Sequence, residues 1–176
     1  GWYKASWLPE DSGELMTTVC ENDIFYDVDI ENGQKTGFFL DQKYNRLAVS
    51  RLAAGKHVLD CFTHTGAFAL NAARGGAVSV TAVDISEEAV ERTLSNIEKN
   101  DFSPTVKVVQ ANVFDLLTQL AEEKNRDYDF IILDPPAFTK SGHTLKNAYR
   151  GYKEINLKAM KILPRGGYLA TCSCSH

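Results

Sequence analysis

The chain has no C-x-x-C pair: its four cysteines are Cys20, Cys61, Cys172 and Cys174, and the four histidines cluster neither with them nor with each other. That scatter argues against a zinc site or any other metal centre. Long apolar runs are also missing, since the longest, such as Phe130-Ile131-Ile132-Leu133, is far too short to cross a bilayer. No basic and apolar leader opens the sequence, so the expected location is the cytoplasm, where thiols stay reduced. Cations show no excess, with 19 basic against 23 acidic residues, so a nucleic acid would have to be gripped largely by something other than overall charge. Two phosphate-binding signatures are absent as well. The G-x-G-x-x-G of dinucleotide sites and the Gly-Lys-Ser/Thr of nucleoside triphosphate loops appear nowhere, which disfavours a nicotinamide oxidoreductase. Nothing specifies an oligomer.

What is present is regular. Residues 1–13 mix tryptophan, proline and glycine without periodicity and read as a linker remnant. Segments 15–21 and 24–30 are strand-like, the second alternating Ile24, Tyr26, Val28 and Ile30 with polar neighbours, and "END" at 21–23 can turn the chain between them, which predicts a β-hairpin. Residues 1–40 are therefore taken as linker and hairpin, and residues 41–176 as the core. Asp41 is a candidate cap for a helix carrying Leu47 and Leu52. From Lys56 strands and helices alternate. Strands are expected at 57–61, 78–83, 106–110, 128–133 and from 168 to Cys172 or beyond. Helices are expected at 65–74, 86–99, 116–121 and 149–163, the second capped by Ser86 and burying Val90, Leu94 and Ile97. This is an α/β fold with a doubly wound parallel sheet of Rossmann-like type and a small N-terminal hairpin extension.

In such sheets ligands bind beyond the carboxyl ends of the strands, where this chain carries Asp60, Asp84, Asn112, Asp134 and Cys174. Three carboxylates around one crevice repel one another unless the ligand is cationic or rich in hydroxyls. Either Asp60 or Asp84 alone could equally be a helix cap or a loop acid. Together, 24 residues apart and without a phosphate loop, they suit a ligand with a ribose and a cation but no phosphate. S-adenosylmethionine is such a molecule. Asp84 would accept the ribose hydroxyls, Asp60 would face the ammonium or sulfonium end, Gly66 would allow close approach, and Asn112 would bond the adenine amine. Cys61 and Phe62 read by themselves as packing residues, and His64 as a loop histidine.

Two further stretches stand at strand ends. In "DPPAF", residues 134–138, two prolines stiffen a loop and fix its carbonyl directions, a means of presenting acceptors to a flat heterocycle. In "TCSCS", residues 171–175, Cys172 reads as an inert buried thiol, whereas Cys174 at the rim is a candidate nucleophile.

The ordered set "GQKTGFFLDQKYNR", "VLDCFTHTGAF", "VDIS", "NVFDLL", "DPPAF" and "CSCS" resembles the PUA-domain-containing cytosine-5 methyltransferases of bacterial large-subunit ribosomal RNA. The resemblance runs from about Glu14 to His176. It implies a class I S-adenosylmethionine-dependent methyltransferase fold and ribosomal RNA as partner. The cofactor set it implies is Asp60, Phe62, Thr63, Gly66, Asp84, Ile85, Asn112, Val113 and Asp134, and the substrate set is Pro135, Pro136, Phe138 and Lys140. It also implies that Cys174 adds to cytosine C6 while Asp134 contacts N3, so that C5 becomes nucleophilic. Many RNA cytosine-5 methyltransferases carry a second cysteine after the Asp-Pro-Pro stretch, where this chain has Ala137. The family's PUA domain, and an antiparallel strand pair after its fifth strand, have no counterpart here, so the chain is expected to be the cofactor core of a longer enzyme. Lys35, Lys140, Arg150 and Lys153 could flank an RNA entrance, although each alone reads first as solvated surface. The rival readings are a guanine-N methyltransferase of the same fold, against which "CSCS" argues, and a non-catalytic cofactor- or RNA-binding module.

Overall fold

The computed structural model describes residues 16–30, 37–138 and 145–173. Its first element is the expected hairpin, β1 (Met16–Glu21) paired antiparallel with β2 (Ile24–Asp29). Asn22 and Asp23 form the turn at φ +53° and +57°, a left-handed conformation these short polar side chains tolerate and one that matches the twist of the strands. The alternation in β2 buries Ile24, Tyr26 and Val28 against the main body. There the Tyr26 hydroxyl accepts a hydrogen bond from Asn71 Nδ2 at 3.0 Å.

A single 3-10 turn, Leu40–Gln42, leads into α1 (Lys43–Leu52). Asp41 lies inside that turn and caps neither helix, because the chain is already wound when it reaches residue 41. The main sheet comprises β3 (His57–Cys61), β4 (Ser79–Asp84), β5 (Val106–Gln110), β6 (Phe130–Leu133) and β7 (Tyr168–Thr171), all parallel in the order β5-β4-β3-β6-β7. Both faces of the central strands are covered. Val58, Phe130 and Ile132 join the hairpin, α1 and α2 (Ala67–Arg74) in one cluster, while Leu59, Cys61, Ile131 and Leu133 join α4 (Val113–Glu122) and α5 (Leu145–Ile162) in another. Each such buried side chain contributes roughly 1.5–3 kcal/mol, which explains the unbroken apolar run in β6.

Helix α3 (Glu87–Lys99) departs from the sequence reading. Ser86 caps it as expected, its hydroxyl accepting from Ala89 N, but the buried stripe is Ala89, Thr93, Asn96 and Ile97, and Leu94 is exposed. The reason is that α3 packs on β2 and on the loop after β3, which offer backbone carbonyls and amides. Asn96 donates to the Thr65 carbonyl at 2.9 Å and accepts from Asp27 N at 3.0 Å, and Thr93 donates to the His64 carbonyl at 3.2 Å. Periodicity of apolar residues cannot detect a helix face buried for its polar groups.

The order of strands reverses between β3 and β6, since the chain leaves β3 toward β4 on one side and returns to β6 on the other. The crevice opens at the carboxyl ends of these two strands.

Candidate functional site

At that crevice lies a cavity of about 520 Å³. Its wall contains Phe62, Thr63, Asp84, Ile85, Asn112, Val113, Asp134, Pro135, Pro136 and Phe138 of the residues singled out from sequence. Asp60 and Gly66 are not on the wall; they build the turn beneath it. Lys140 and Cys174 lie outside the described residues. β7 stops at Thr171, and Cys172, whose amide still donates to Leu133 O at 2.8 Å, packs half-buried against the core.

The turn after β3 has an unusual backbone. Phe62 and His64 take φ of +64° and +56° without being glycine, and Gly66 takes +78° as the residue that opens α2. Such conformations persist only where the surroundings hold them. Thr63 N bonds Val83 O at 3.0 Å, Gly66 N bonds Thr63 O at 2.9 Å, and His64 N bonds Asp84 Oδ2 at 3.0 Å. Gly66 is needed for packing as well as for its φ, since a Cβ there would fall 2.8 Å from Leu70 Cδ1 and from Thr93 Cγ2. Within the chain, the close approach at this glycine is made by Leu70 of α2 and Thr93 of α3.

Asp60 is fully buried. Its Oδ2 accepts from Thr63 Oγ1 at 2.6 Å and from Ala69 N at 3.0 Å, while Oδ1 has no hydrogen-bond partner among the described residues. Burial, helped by the charges of Asp134 and Asp84 and opposed by the two hydrogen bonds, pushes its carboxyl up to about 7. The three acids thus sense one another, Asp84 and Asp134 from the wall and Asp60 from beneath it, which favours a cationic ligand. Asp84 itself ends β4 with each oxygen touching a backbone amide, His64 N on Oδ2 and Ser86 N on Oδ1 at 3.1 Å, so its carboxylate is held in a fixed orientation. Asn112 caps α4, Oδ1 accepting from Phe114 N at 2.9 Å. Its NH2 is left to donate to a ligand, and Oδ1 keeps a second lone pair that could accept from an exocyclic amine.

Sequence reasoning passed over several wall residues. Phe39 and Gln42 come from the segment that joins the hairpin to α1, Arg46 from α1 itself, and Arg92 from α3. Gln42 Nε2 donates to Asp134 Oδ1 at 3.4 Å and its Oε1 accepts from Asn45 Nδ2 at 2.6 Å. Arg46 is buried, forks onto Glu21 of the hairpin at 2.6 and 2.9 Å, and donates to Phe39 O at 2.8 Å. The Phe39 ring meets His64 edge-on at 5.2 Å, and burial, then the nearby Arg92 charge, lower the histidine's proton affinity against the pull of Asp84 and Glu88. Only the aromatic pair in "GFFLDQ" hinted at this wall. Elsewhere on the wall Phe62, Phe114 and Phe138 pack edge-on or tilted, with ring centres 5.6 to 6.5 Å apart, and Tyr152 of α5 lies 4.6 Å from Phe138. No backbone cradle of the phosphate-loop type is present among these residues, and the cavity has the size of a small-molecule site.

The model of the S-adenosylmethionine-dependent methyltransferase family matches residues 3–175. Ribosomal RNA large subunit methyltransferase I of Aeromonas salmonicida is 46% identical over 168 residues, covering 93% of this chain and 42% of its own length. The protein of that name from Pseudoalteromonas translucida is 43% identical over 172 residues, covering 97% and 43%. The chain therefore spans less than half the length of these curated relatives. Among solved structures, a candidate methyltransferase complexed with SAH is 31% identical with a TM-score of 0.73, covering 93% of this chain and 43% of that one. A SAM-dependent methyltransferase from Agrobacterium tumefaciens, 19% identical, shares the fold at a TM-score of 0.74 over 94% of this chain and 55% of its own.

Proposed function

The chain belongs to the S-adenosylmethionine-dependent methyltransferase family, with that family's class I fold and cofactor, and from that premise we propose that it is the methyl-transfer core of a cytosine-5 methyltransferase of large-subunit ribosomal RNA, acting in the cytoplasm. The observation that carries the reading is that the Asp84 carboxylate and the loop Asp134–Phe138 line one cavity that lacks a phosphate cradle. The names of the relatives support ribosomal RNA as substrate.

In this reading Asp84 accepts the ribose hydroxyls, Asn112 donates to the adenine, and Phe62, Thr63, Ile85 and Val113 enclose the cofactor's apolar surfaces. Asp60 and Gly66 hold the turn, and Asp60, when ionised, complements the cofactor's cationic end. When bound, S-adenosylmethionine supplies an electrophilic methyl group on a sulfonium. The chain's own residues prepare the base. Pro135, Pro136 and Phe138 frame a flat heterocycle, with Lys140 beside it. The Cys174 thiolate adds to C6, and Asp134 as the carboxylic acid, its Oδ1 steadied by Gln42, donates its proton toward N3 so that the charge from that addition is stabilised and C5 becomes enamine-like. C5 takes the methyl that the sulfonium supplies, leaving a neutral thioether, and loss of the C5 proton to solvent then re-forms the C5–C6 double bond as the C6–S bond breaks and the thiolate leaves. Ala137 supplies no second thiol for that release.

The test is trapping. Full-length protein given S-adenosylmethionine and RNA containing 5-fluorocytosine should form a covalent complex, because fluorine cannot leave as the C5 proton does. Mass spectrometry should locate the adduct on Cys174, and Cys174→Ala should abolish both adduct and methylation. An adduct on Cys172, or methylation that survives Cys174→Ala, would refute this assignment. A methylated guanine found by nucleoside mass mapping would instead favour the guanine-N reading.

A further inference from the structure

Helix α5 carries five cations against one carboxylate, Glu154, in a chain whose net charge is −4. They are not evenly disposed. Lys158 is paired with Glu154, and Lys161 stands in the last turn. Lys146, Arg150 and Lys153 follow one another at i, i+4 and i+7, are exposed, and make no ion pair among the described residues. Tyr149 sits between them on the same face and is 70% exposed, whereas the opposite face buries Ala148, Ile155, Ala159 and Ile162.

The topology puts this face beside the crevice. α5 returns the chain from the carboxyl end of β6 to the start of β7, so it runs antiparallel to the strands and its first turns flank the strand ends. The side chains agree with that direction. The Tyr152 ring lies 4.6 Å from Phe138 on the cavity wall, and at Gly151 a Cβ would lie 3.1 Å from the same ring. Unpaired cations interleaved with an exposed aromatic complement one kind of ligand: phosphates for the charges and a base for the ring. A reacting base has to be unpaired to enter such a cavity, and an exposed ring beside it, which stacks unpaired bases, favours a single strand there.

The geometry points to the Lys146–Tyr149–Arg150–Lys153 face of α5 as the surface that holds the single-stranded RNA next to the target nucleotide, an inference that rests on the RNA-methylating reading above. Long flexible cations on three successive turns follow the backbone, and Tyr149 stacks a neighbouring base without reading its identity.

The test uses the full-length protein and a single-stranded fragment of large-subunit ribosomal RNA, with binding followed by fluorescence anisotropy. Combining Lys146→Ala, Arg150→Ala and Lys153→Ala should weaken binding about tenfold or more and reduce the slope of log affinity against log salt by about 2, at roughly 0.7 for each phosphate no longer neutralised. Tyr149→Ala should cost about tenfold and leave the slope unchanged. Lys161→Ala, at the far end of the same helix, should change neither. Calorimetric affinity for S-adenosylmethionine should stay at the unaltered value in every variant, which shows that each is folded. Unchanged RNA affinity in the triple variant, an equal loss in Lys161→Ala, or no RNA binding by the unaltered protein would overturn the inference. Nucleoside mapping keeps it apart from the reading it rests on. Methylation of a base other than cytosine refutes the cytosine chemistry and leaves the α5 surface standing, whereas normal cytosine methylation with undiminished RNA affinity in the triple variant does the reverse.

Discussion

The loops after β3 and β6 face the same cavity and are kept rigid by opposite means. In residues 62–66 the backbone turns left-handed at Phe62, His64 and Gly66, and the shape is imposed from outside by bonds from Val83, Asp84, Thr93 and Asn96. In residues 134–138 the two ends are tied to neighbours, Asp134 to Gln42 and Phe138 to the facing rings, but the middle is stiffened covalently: two proline rings fix φ locally, and Pro136 and Ala137 are exposed. A loop held by its surroundings fails when one of those surrounding bonds fails. One held by its own rings loses only what those rings contribute.

Substitutions sharpen that contrast. Gly66→Ala should be the most damaging, by about 2–4 kcal/mol of stability in denaturant titration, since it meets both a positive φ and two side-chain carbons at 2.8 Å. Asp84→Ala should cost roughly 2 kcal/mol of S-adenosylmethionine affinity by calorimetry, about the worth of charge-assisted hydrogen bonds, and more if the turn loosens when His64 N loses its acceptor. Asp60→Asn gives a pH signature. Because the folded carboxyl is held up at about 7, the folded protein binds more protons than the unfolded one between about pH 4 and 7, and its stability declines as pH rises through that window. Thermal unfolding should show Asp60→Asn gaining on the wild type from pH 4 to 7 and running parallel to it above; a constant difference would mean that Asp60 is ionised throughout. Pro136→Ala should be the mildest, at about 0.4–1 kcal/mol, from the added freedom of the unfolded chain.

The same contrast explains what the sequence made legible. Proline acts on its own residue and the one before it, so the "DPPAF" loop could be read from five letters, as could the Asn22-Asp23 turn and the Ser86 cap. The parallel sheet was legible because burial on both faces leaves unbroken apolar strands such as β6. What escaped depended on residues distant in the chain. Nothing local marks Phe62 and His64 as left-handed, because the forces holding them come from β4 and α3. The polar inner face of α3 was invisible for the same reason, and so was Arg46, an arginine on a surface-like helix that is buried only because Glu21 lies opposite it.

Arg46 also bears on how such proteins can be cut and recombined. One side chain grips the hairpin through Glu21, fixes the Phe39 carbonyl and forms part of the cavity wall, while Tyr26 and Phe38 share the hydrophobic cluster of the sheet. A crossover between residues 30 and 43 that joined this sheet to a foreign hairpin would strand a buried guanidinium and open the cavity wall, at a cost of about 3–5 kcal/mol for the broken ion pair alone. The unit that can be inherited or grafted intact is therefore hairpin and sheet together, because the hairpin does not itself line the cavity but, through Glu21, holds in place an arginine that does.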